Sequence, residues 1–182
     1  SENQLIALDI GPTGKLLAPI GDLDYEDAIE AFSKVVRAGV KAGCDLVIIE
    51  TMNDPYELKS AIIASKENSS LPIFATFVLD ERGKTITGCD IPAMVAMLEG
   101  LGVTALGVNC SLGAKQLKQF IPKIVENSSL PVIVSPNAGM PCVHEGKTCY
   151  DSTPEDFACE MKEIADMGVR ILGGCCGTTP EH

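Results

Sequence analysis

The sequence predicts an α/β fold, a (β/α)₈ TIM barrel of which this chain supplies six of the eight units. Short apolar runs alternate along the chain with helical patterns, which is typical of parallel βα units. Polar side chains lie at or just past the carboxyl ends of the predicted strands, where the active sites of barrels lie. No glycine-rich dinucleotide loop follows these strands, so the sequence disfavours the alternative, an open doubly wound sheet.

The first strand and the first helix differ in their hydrophobic period. Residues 5–10 form an apolar run, as expected of a strand buried on both faces of a parallel sheet. Apolar residues recur at helical spacing over 25–42, and Asp22 or Asp24 can cap that helix.

The second and third units repeat this order. Residues 46–49 form the second apolar run, and the helix predicted over 54–68 opens with an aspartate followed by proline. Residues 73–78 form the third run, and the helix after it is predicted over 90–102, between an opening aspartate and a closing Leu-Gly.

The remaining units follow the same alternation. A strand is predicted over 105–110, a helix over about 113–127 and a strand over 132–135. A polar loop over 137–152 then precedes a helix predicted over 153–167, which opens with Thr-Pro-Glu. The segment 67–73 recurs almost unchanged at 126–132, so two helix-to-strand turns are built alike, as in a (β/α) repeat.

The last predicted strand, 169–172, leads to a helix start at Thr179-Pro180. A full barrel needs about 250 residues, and the chain has 182. The sequence therefore predicts one domain over 1–182 that is truncated at both ends, without about the first two βα units and the last helix. Such a piece is expected to be a poor catalyst alone and to associate through its unpaired edge strands.

Composition excludes several classes of function. The chain is 46% hydrophobic with a mean hydropathy of +0.20, yet no apolar run approaches the about 18 residues of a membrane span. A net charge of −11 and a pI near 4.5 argue against nucleic-acid binding. No secretory signal is present, so the eight cysteines are expected to be reduced thiols in a cytoplasmic protein.

Adjacent cysteines among glycines, Cys175 and Cys176 in the stretch 173–180, indicate a metal site. Neighbouring side chains on a strand point to opposite faces, so both sulfurs reach one ion only where the backbone turns sharply, which glycine permits. Zinc needs three protein ligands with an open position, or four in a closed site. Cys110, at the carboxyl end of the strand 105–110, is the third predicted ligand. The alternative is three small buried residues.

The other cysteines carry weaker signals. Cys44, Cys89 and Cys159 are interpreted as core or incidental surface residues. Cys142, His144 and Cys149 crowd the polar loop and could form a second metal site, although their spacing matches no familiar ligand pattern.

Several motifs carry a resemblance to a known family. Gly107-Val108-Asn109-Cys110-Ser111, followed by the stretch 173–178, resembles the signature of the homocysteine S-methyltransferase family, zinc-dependent (β/α)₈ barrels. The motifs 7–14, 80–83 and 135–139 are similar to the branch that forms the homocysteine-binding module of cobalamin-dependent methionine synthase. The resemblance covers essentially the whole chain, from the third strand of the family's barrel to the eighth.

The resemblance implies a zinc site for homocysteine and no catalytic residue beyond it. The metal ligands would be Cys110, Cys175 and Cys176. Glu50 matches a position that pairs with the substrate ammonium, although it could also be a salt-bridge partner in the barrel mouth. Asn109 is expected to help to bind substrate or to hold the cysteine loop, and Asn137 to be the displaceable fourth zinc ligand or an outer contact.

The chemistry agrees with that implication. The nucleophile is a thiolate, and homocysteine's thiol is only slightly ionised near pH 7. Three anionic cysteines keep zinc electron-rich, whereas neutral histidines suit the activation of water, and the chain has only two histidines.

The methyl donor stays open at this point. The resemblance implies methylcobalamin and 5-methyltetrahydrofolate, carried by cobalamin and folate modules, with methionine as product. One alternative is a cobalamin-independent enzyme that uses betaine or S-methylmethionine. An alternative of another class is a structural zinc module without catalysis, in which a fourth cysteine closes the site.

Overall fold

A sheet of six parallel strands forms the centre of the computed structural model, which describes residues 4–144 and 146–182. The strands run in the order β1-β2-β3-β4-β5-β8, and a separate two-stranded hairpin contains β6 and β7. The strands are β1 Ala7–Ile10, β2 Leu46–Met52, β3 Ile73–Phe77, β4 Ala105–Gly113, β5 Val132–Asn137, β6 Pro141–His144, β7 Lys147–Tyr150 and β8 Ile171–Leu172. The helices are α1 Tyr25–Ala42, α2 Pro55–Asn68, α3 Ile91–Gly100, α4 Ala114–Leu117, α5 Ile121–Asn127 and α6 Pro154–Asp166.

Parallel pairing and strand–helix alternation confirm the predicted α/β class. The carboxyl ends of all six strands consequently lie on one edge of the sheet, which brings together residues that are far apart in sequence. Within the described residues, β1 and β8 each have a single strand partner and form the two edges of the sheet.

The core lies between the sheet and its helices. The central strands carry fully buried side chains such as Ile49, Phe77 and Val108, which pack in one cluster with apolar residues of the helices, among them Leu58 and Leu98. Burial of this extent on both faces explains why the strands appear in the sequence as continuous apolar runs.

Side-chain caps start three of the helices as predicted. Asp54 accepts a hydrogen bond from the Tyr56 amide, and a proline follows in the first turn of α2. The same arrangement starts α3 at Asp90 and α6 at Thr153. These caps satisfy amides that have no partner within the helix, so they fix where each helix begins.

The prediction of one continuous helix over about 113–127 is wrong. Strand β4 extends to Gly113, and two short helices, α4 and α5, follow it. The interruption lies just before Pro122, which has no amide hydrogen and whose ring clashes with the preceding turn, so one helix cannot run through this position.

The polar loop predicted over 137–152 contains a hairpin that the sequence analysis did not predict. Strands β6 and β7 pair antiparallel here, with Cys142 directly opposite Cys149. These two cysteines form a disulfide, so the expectation that all eight cysteines are reduced fails at this pair. Glu145 lies outside the described residues.

The remaining cysteines agree with the prediction. Cys44, Cys89 and Cys159 are free, and they are half-buried or exposed. Among the described helices, none combines the length and the apolar character needed to span a membrane.

Candidate metal centre

Two strands on either side of β3, β2 and β4, break their regular pairing at the carboxyl edge of the sheet. The register between β2 and β3 shifts after Ile49, and that between β4 and β5 shifts after Asn109. Thr51, Cys110 and Ser111 have φ values of 61°, 56° and 55°, in the left-handed region that side chains other than glycine rarely adopt. Irregularities of this kind re-aim side chains at the ends of strands. Glu50 and Cys110 lie near each other at this edge of the sheet.

The side chain of Asn109 joins these two irregular strand ends. Its Oδ1 accepts hydrogen bonds from the Thr51 amide and the Thr76 hydroxyl, both at 2.8 Å. Its Nδ2 donates to Thr51 Oγ1 at 2.7 Å and to Cys175 Sγ at 3.8 Å. Asn109 is 1% exposed, so protein groups engage both ends of its amide.

The turn that carries the cysteine pair is built on the end of β5. The Cys175 amide donates to the Pro136 carbonyl at 2.8 Å, and the Cys176 carbonyl accepts from the Ala138 amide at 2.9 Å. The Cys176 amide donates to Asn137 Oδ1 at 3.2 Å. These bonds hold the backbone in a sharp turn, and Gly177, with φ 81°, completes it.

The turn brings all three predicted ligands together. The sulfurs of Cys110 and Cys176 are 3.7 Å apart, and those of Cys175 and Cys176 are 4.0 Å apart. All three sulfurs lie within 4.8 Å of one another. A tetrahedral zinc ion with Zn–S bonds of about 2.3 Å holds its sulfurs about 3.8 Å apart. The spacing and the chemistry of the donor set therefore fit one zinc ion.

The protonation of these thiols is strongly linked. A hydrogen bond from Cys175 lowers the pKa of the Cys110 thiol to about 5, although burial opposes this shift. The same hydrogen bond, burial and the neighbouring negative sulfurs raise the pKa of Cys175. The interaction that favours the thiolate of Cys110 thus disfavours the thiolate of Cys175. A bound cation relieves the repulsion that keeps all three thiols from ionising.

Glu50 lies beside this cluster. Burial, the Asp9 carboxylate and Cys110 raise its pKa, in that order. None of the ion pairs found among the described residues includes Glu50, so the salt-bridge alternative gains no support there. An acidic group held near two other negative groups favours a cationic partner from outside the chain.

The second metal site considered for the polar loop is not formed by its cysteines, because Cys142 and Cys149 are joined to each other. The side chain of His144 lies outside what the structure describes. Thr51, which exchanges two hydrogen bonds with Asn109, had not been predicted as a site residue. Asp9, near Glu50, is one of the polar residues at strand ends, but no role had been predicted for it.

A comparison of the sequence with protein families decides the relationship. The family described as homocysteine S-methyltransferase matches residues 1–182. This chain belongs to the homocysteine S-methyltransferase family. The resemblance inferred from the cysteine motifs is thereby confirmed.

Two curated relatives in this family are methionine synthases. Those of Mycobacterium leprae (strain TN) and Mycobacterium tuberculosis (strain ATCC 25618 / H37Rv) are 31% and 30% identical to it over 95% of this chain. The chain spans only 15% of the length of each.

Solved structures agree with the family. The homocysteine methyltransferase MmuM from Escherichia coli, in its apo form, matches with a TM-score of 0.78 and 25% identity, over 97% of this chain and 59% of MmuM. Its metallated form matches with a TM-score of 0.73 and 26% identity, over 97% of this chain and 58% of MmuM. These similarities confirm the barrel fold predicted from the sequence.

Proposed function

We propose that this chain is the homocysteine-binding part of a methionine synthase, in which zinc on Cys110, Cys175 and Cys176 prepares homocysteine for methylation. The observation that carries the proposal is the cluster of three sulfurs within 4.8 Å in a member of this family. When bound, zinc would lower the pKa of the substrate thiol, so that its thiolate accepts the methyl group and methionine is formed.

The open position of the centre separates this proposal from a structural zinc site. A closed site requires a fourth protein ligand. Among the described residues, the cluster contains three cysteines and no further cysteine, histidine or carboxylate. This composition supports a position left for the substrate sulfur.

Glu50 is proposed to bind the ammonium group of homocysteine, with Asp9 beside it. The support is the pair of acidic groups near Cys110 and the absence of Glu50 from the ion pairs of the described residues. Glu50 is half-buried, and a charge-assisted hydrogen bond of this kind contributes about 1.5–3 kcal/mol.

The two asparagines are proposed to position the cysteines. Asn109 donates to Cys175 Sγ, and Asn137 accepts from the Cys176 amide. Because each amide is engaged by the protein, this outer role is better supported than direct substrate contact for Asn109 or zinc ligation for Asn137.

The proposed donor is methylcobalamin, recharged from 5-methyltetrahydrofolate on separate cobalamin and folate modules, in the cytoplasm. The support is the match to two methionine synthases far longer than this chain. The similarity to MmuM keeps a direct donor, S-methylmethionine or betaine, as the alternative.

We also propose that this domain, 1–182, is completed by strands from outside the sequence. The edges of the sheet are apolar and open: Ile6 beside β1 is 63% exposed and Leu172 of β8 is 44% exposed. An apolar groove of about 370 Å³ lies beside β8, and Phe157 and Met161 of α6 form part of its lining. Further βα units would cover these surfaces, as in a closed barrel.

X-ray absorption at the zinc edge tests the proposal on the intact protein. We expect three sulfur neighbours without substrate and four with homocysteine, whereas homoserine, which lacks the thiol, leaves three. Four sulfurs in the absence of homocysteine would indicate a structural site. Methyl transfer from methylcobalamin, S-methylmethionine and betaine, measured in parallel, identifies the donor.

A further inference from the structure

Strand β4 carries a bulge at the point where it presents Cys110. Between Asn109 and Gly113, β4 advances by four residues while its partner β5 advances by two. Cys110 and Ser111 lie inside this bulge, and their φ values of 56° and 55° place two consecutive side-chain-bearing residues in the left-handed region. That region is unfavourable for residues other than glycine, so this short piece of backbone is strained.

The bulge allows two neighbouring side chains of β4 to reach the same turn. On a regular strand, Asn109 and Cys110 would point to opposite faces of the sheet. Here Asn109 Nδ2 lies 3.8 Å from Cys175 Sγ, and Cys110 Sγ lies 3.7 Å from Cys176 Sγ. The cluster of three sulfurs therefore depends on the strained conformation of β4.

The hydroxyl of Ser111 ties this bulge to the segment that follows β3. Its Oγ donates a hydrogen bond to the Leu79 carbonyl at 2.8 Å. Leu79 is buried in the core cluster, and the amide of Val78, which precedes it, donates to the Met52 carbonyl at 3.1 Å. The acceptor thus belongs to a segment that core packing and a backbone hydrogen bond hold in place.

This hydrogen bond favours the bulged form of β4 over a regular one. Without the bulge, every residue of β4 after Asn109 would shift by two positions relative to β5, and Ser111 would move away from the Leu79 carbonyl. Cys110 is consequently flanked by two side chains with fixed partners, the amide of Asn109 on one side and the hydroxyl of Ser111 on the other.

We propose that Ser111 is a positioning residue of the metal centre: its hydrogen bond to the Leu79 carbonyl stabilises the bulge that brings the sulfur of Cys110 to the cysteine turn. The inference rests on the proposed zinc centre and gives a role to the last residue of the motif 107–111, which the proposed function does not use. Contacts outside the ligands orient them, and the loss of such a contact lowers metal affinity about 10- to 100-fold.

Cobalt substitution in the intact protein tests this inference. Ser111→Ala removes the hydroxyl and leaves the backbone strained, whereas Ser111→Gly removes the hydroxyl and relieves the strain, because glycine adopts positive φ freely. Ser65 is the matched control, since its hydroxyl also donates to a backbone carbonyl at 2.8 Å, that of Ala61 within α2. Three quantities are measured: the sulfur-to-cobalt charge-transfer absorption, the rate at which a chelator removes cobalt, and urea unfolding of the metal-free protein.

We expect Ser111→Ala to bind cobalt with a shifted charge-transfer band and to lose it about tenfold faster than the wild type. Ser111→Gly should lie between these two proteins in both measurements, because its bulge needs no hydrogen bond to offset strain. This order separates positioning from general destabilisation, since glycine within a strand ordinarily destabilises a protein more than alanine does. Ser65→Ala should match the wild type in spectrum and rate, whatever its effect on urea unfolding.

A wild-type spectrum and rate for Ser111→Ala would overturn the inference, and so would a Ser111→Gly protein that loses cobalt at least as fast as Ser111→Ala. Should Ser111→Ala not fold, Ser111→Gly decides: faster cobalt loss than in the wild type supports the inference, and an equal rate overturns it. Failure of the proposed function is a different result, because the wild-type protein itself would then show no thiolate-to-cobalt band.

Discussion

The two halves of the candidate metal centre are built in different ways. Cys110 projects from an interior strand of the sheet, next to Asn109, whose side chain is enclosed in the core. Cys175 and Cys176 lie on a turn after β8, a two-residue strand at the edge of the described sheet. One cysteine is thus fixed by the core, and the other two are held by a few hydrogen bonds to the segment around the end of β5.

This difference separates the determinants of stability from those of metal retention. The Asn109 network ties three strand ends together, so changes there should disturb folding as well as binding. The turn contributes little to the core, so changes there should affect the metal and leave the fold largely intact. Each prediction below tests one side of this contrast.

The largest effect on zinc binding is expected at Cys175, which links the two halves of the centre. Cys175 lies on the turn and accepts a hydrogen bond from Asn109. Cys175→Ser should abolish stoichiometric zinc binding, a loss larger than the about 10- to 100-fold that outer contacts produce. Elemental analysis of the purified protein measures it. Cys44→Ser and Cys159→Ser should keep full zinc, and zinc retained by Cys175→Ser would refute the ligand assignment.

Glu50→Gln should weaken the binding of homocysteine about ten- to a hundredfold, which is equivalent to a loss of about 1.5–3 kcal/mol of binding free energy. Zinc content should stay unchanged, because the carboxylate is not in the cluster of ligands. The KM for homocysteine measures the effect, and an unchanged KM would remove Glu50 from the substrate site.

The same variant, which should bind homocysteine less well, should be at least as stable as the wild type. Burial raises the pKa of Glu50 in the folded protein, so its ionised form disfavours folding at neutral pH. Glu50→Gln should therefore unfold at an equal or higher temperature than the wild type near neutral pH. The difference should vanish as the pH falls and the wild-type carboxyl becomes protonated, which thermal unfolding across pH will show.

Asn109→Ala tests the half of the centre that lies on the interior strand β4. It leaves the Thr51 amide and the Thr76 hydroxyl without their acceptor and should cost about 2–3 kcal/mol of folding free energy. Zinc affinity should fall about tenfold, since one contact to Cys175 is lost. Urea unfolding and zinc competition measure the two effects. Asn127→Ala is the control, because its exposed amide contacts only its own helix; equal effects in both variants would contradict the role of Asn109.

The smallest effect on the metal is expected from the double variant Cys142→Ser, Cys149→Ser. Its disulfide closes a short hairpin on the turn side, so its loss should lower stability by about 2 kcal/mol. Zinc affinity should change by less than the about tenfold expected of a direct outer contact. A loss of zinc comparable to that of Cys175→Ser would show that the hairpin belongs to the centre itself.

The sequence was sufficient to predict the fold and the cluster of three cysteines, because both depend on local signals. Apolar runs, caps with proline behind them and cysteines at strand ends each carry their own physical meaning. It failed at Pro122, where the rule against proline inside a helix should have been applied. It also missed the hairpin, although the two short segments around Gly146 were compatible with a tight turn.

The outer contacts of the centre could not be predicted in the same way. That Asn109 reaches Thr51, 58 positions away, depends on two strand irregularities that leave no pattern in the sequence. The ring of Tyr150 packs on Gly177 only because the hairpin lies against the turn. Such contacts arise from tertiary geometry, which residue spacing does not record.

The side-chain amide of Asn109 links the two ends of the site and so helps to fix the distance between them. It hydrogen-bonds to Thr51, the neighbour of Glu50, and to Cys175, so one buried side chain sets the span between the proposed ammonium partner and the sulfurs. A fixed span of this kind selects amino-acid thiols by the number of methylene groups between the ammonium and the thiol. We therefore expect cysteine, which is one methylene shorter than homocysteine, to bind about 1–3 kcal/mol less well.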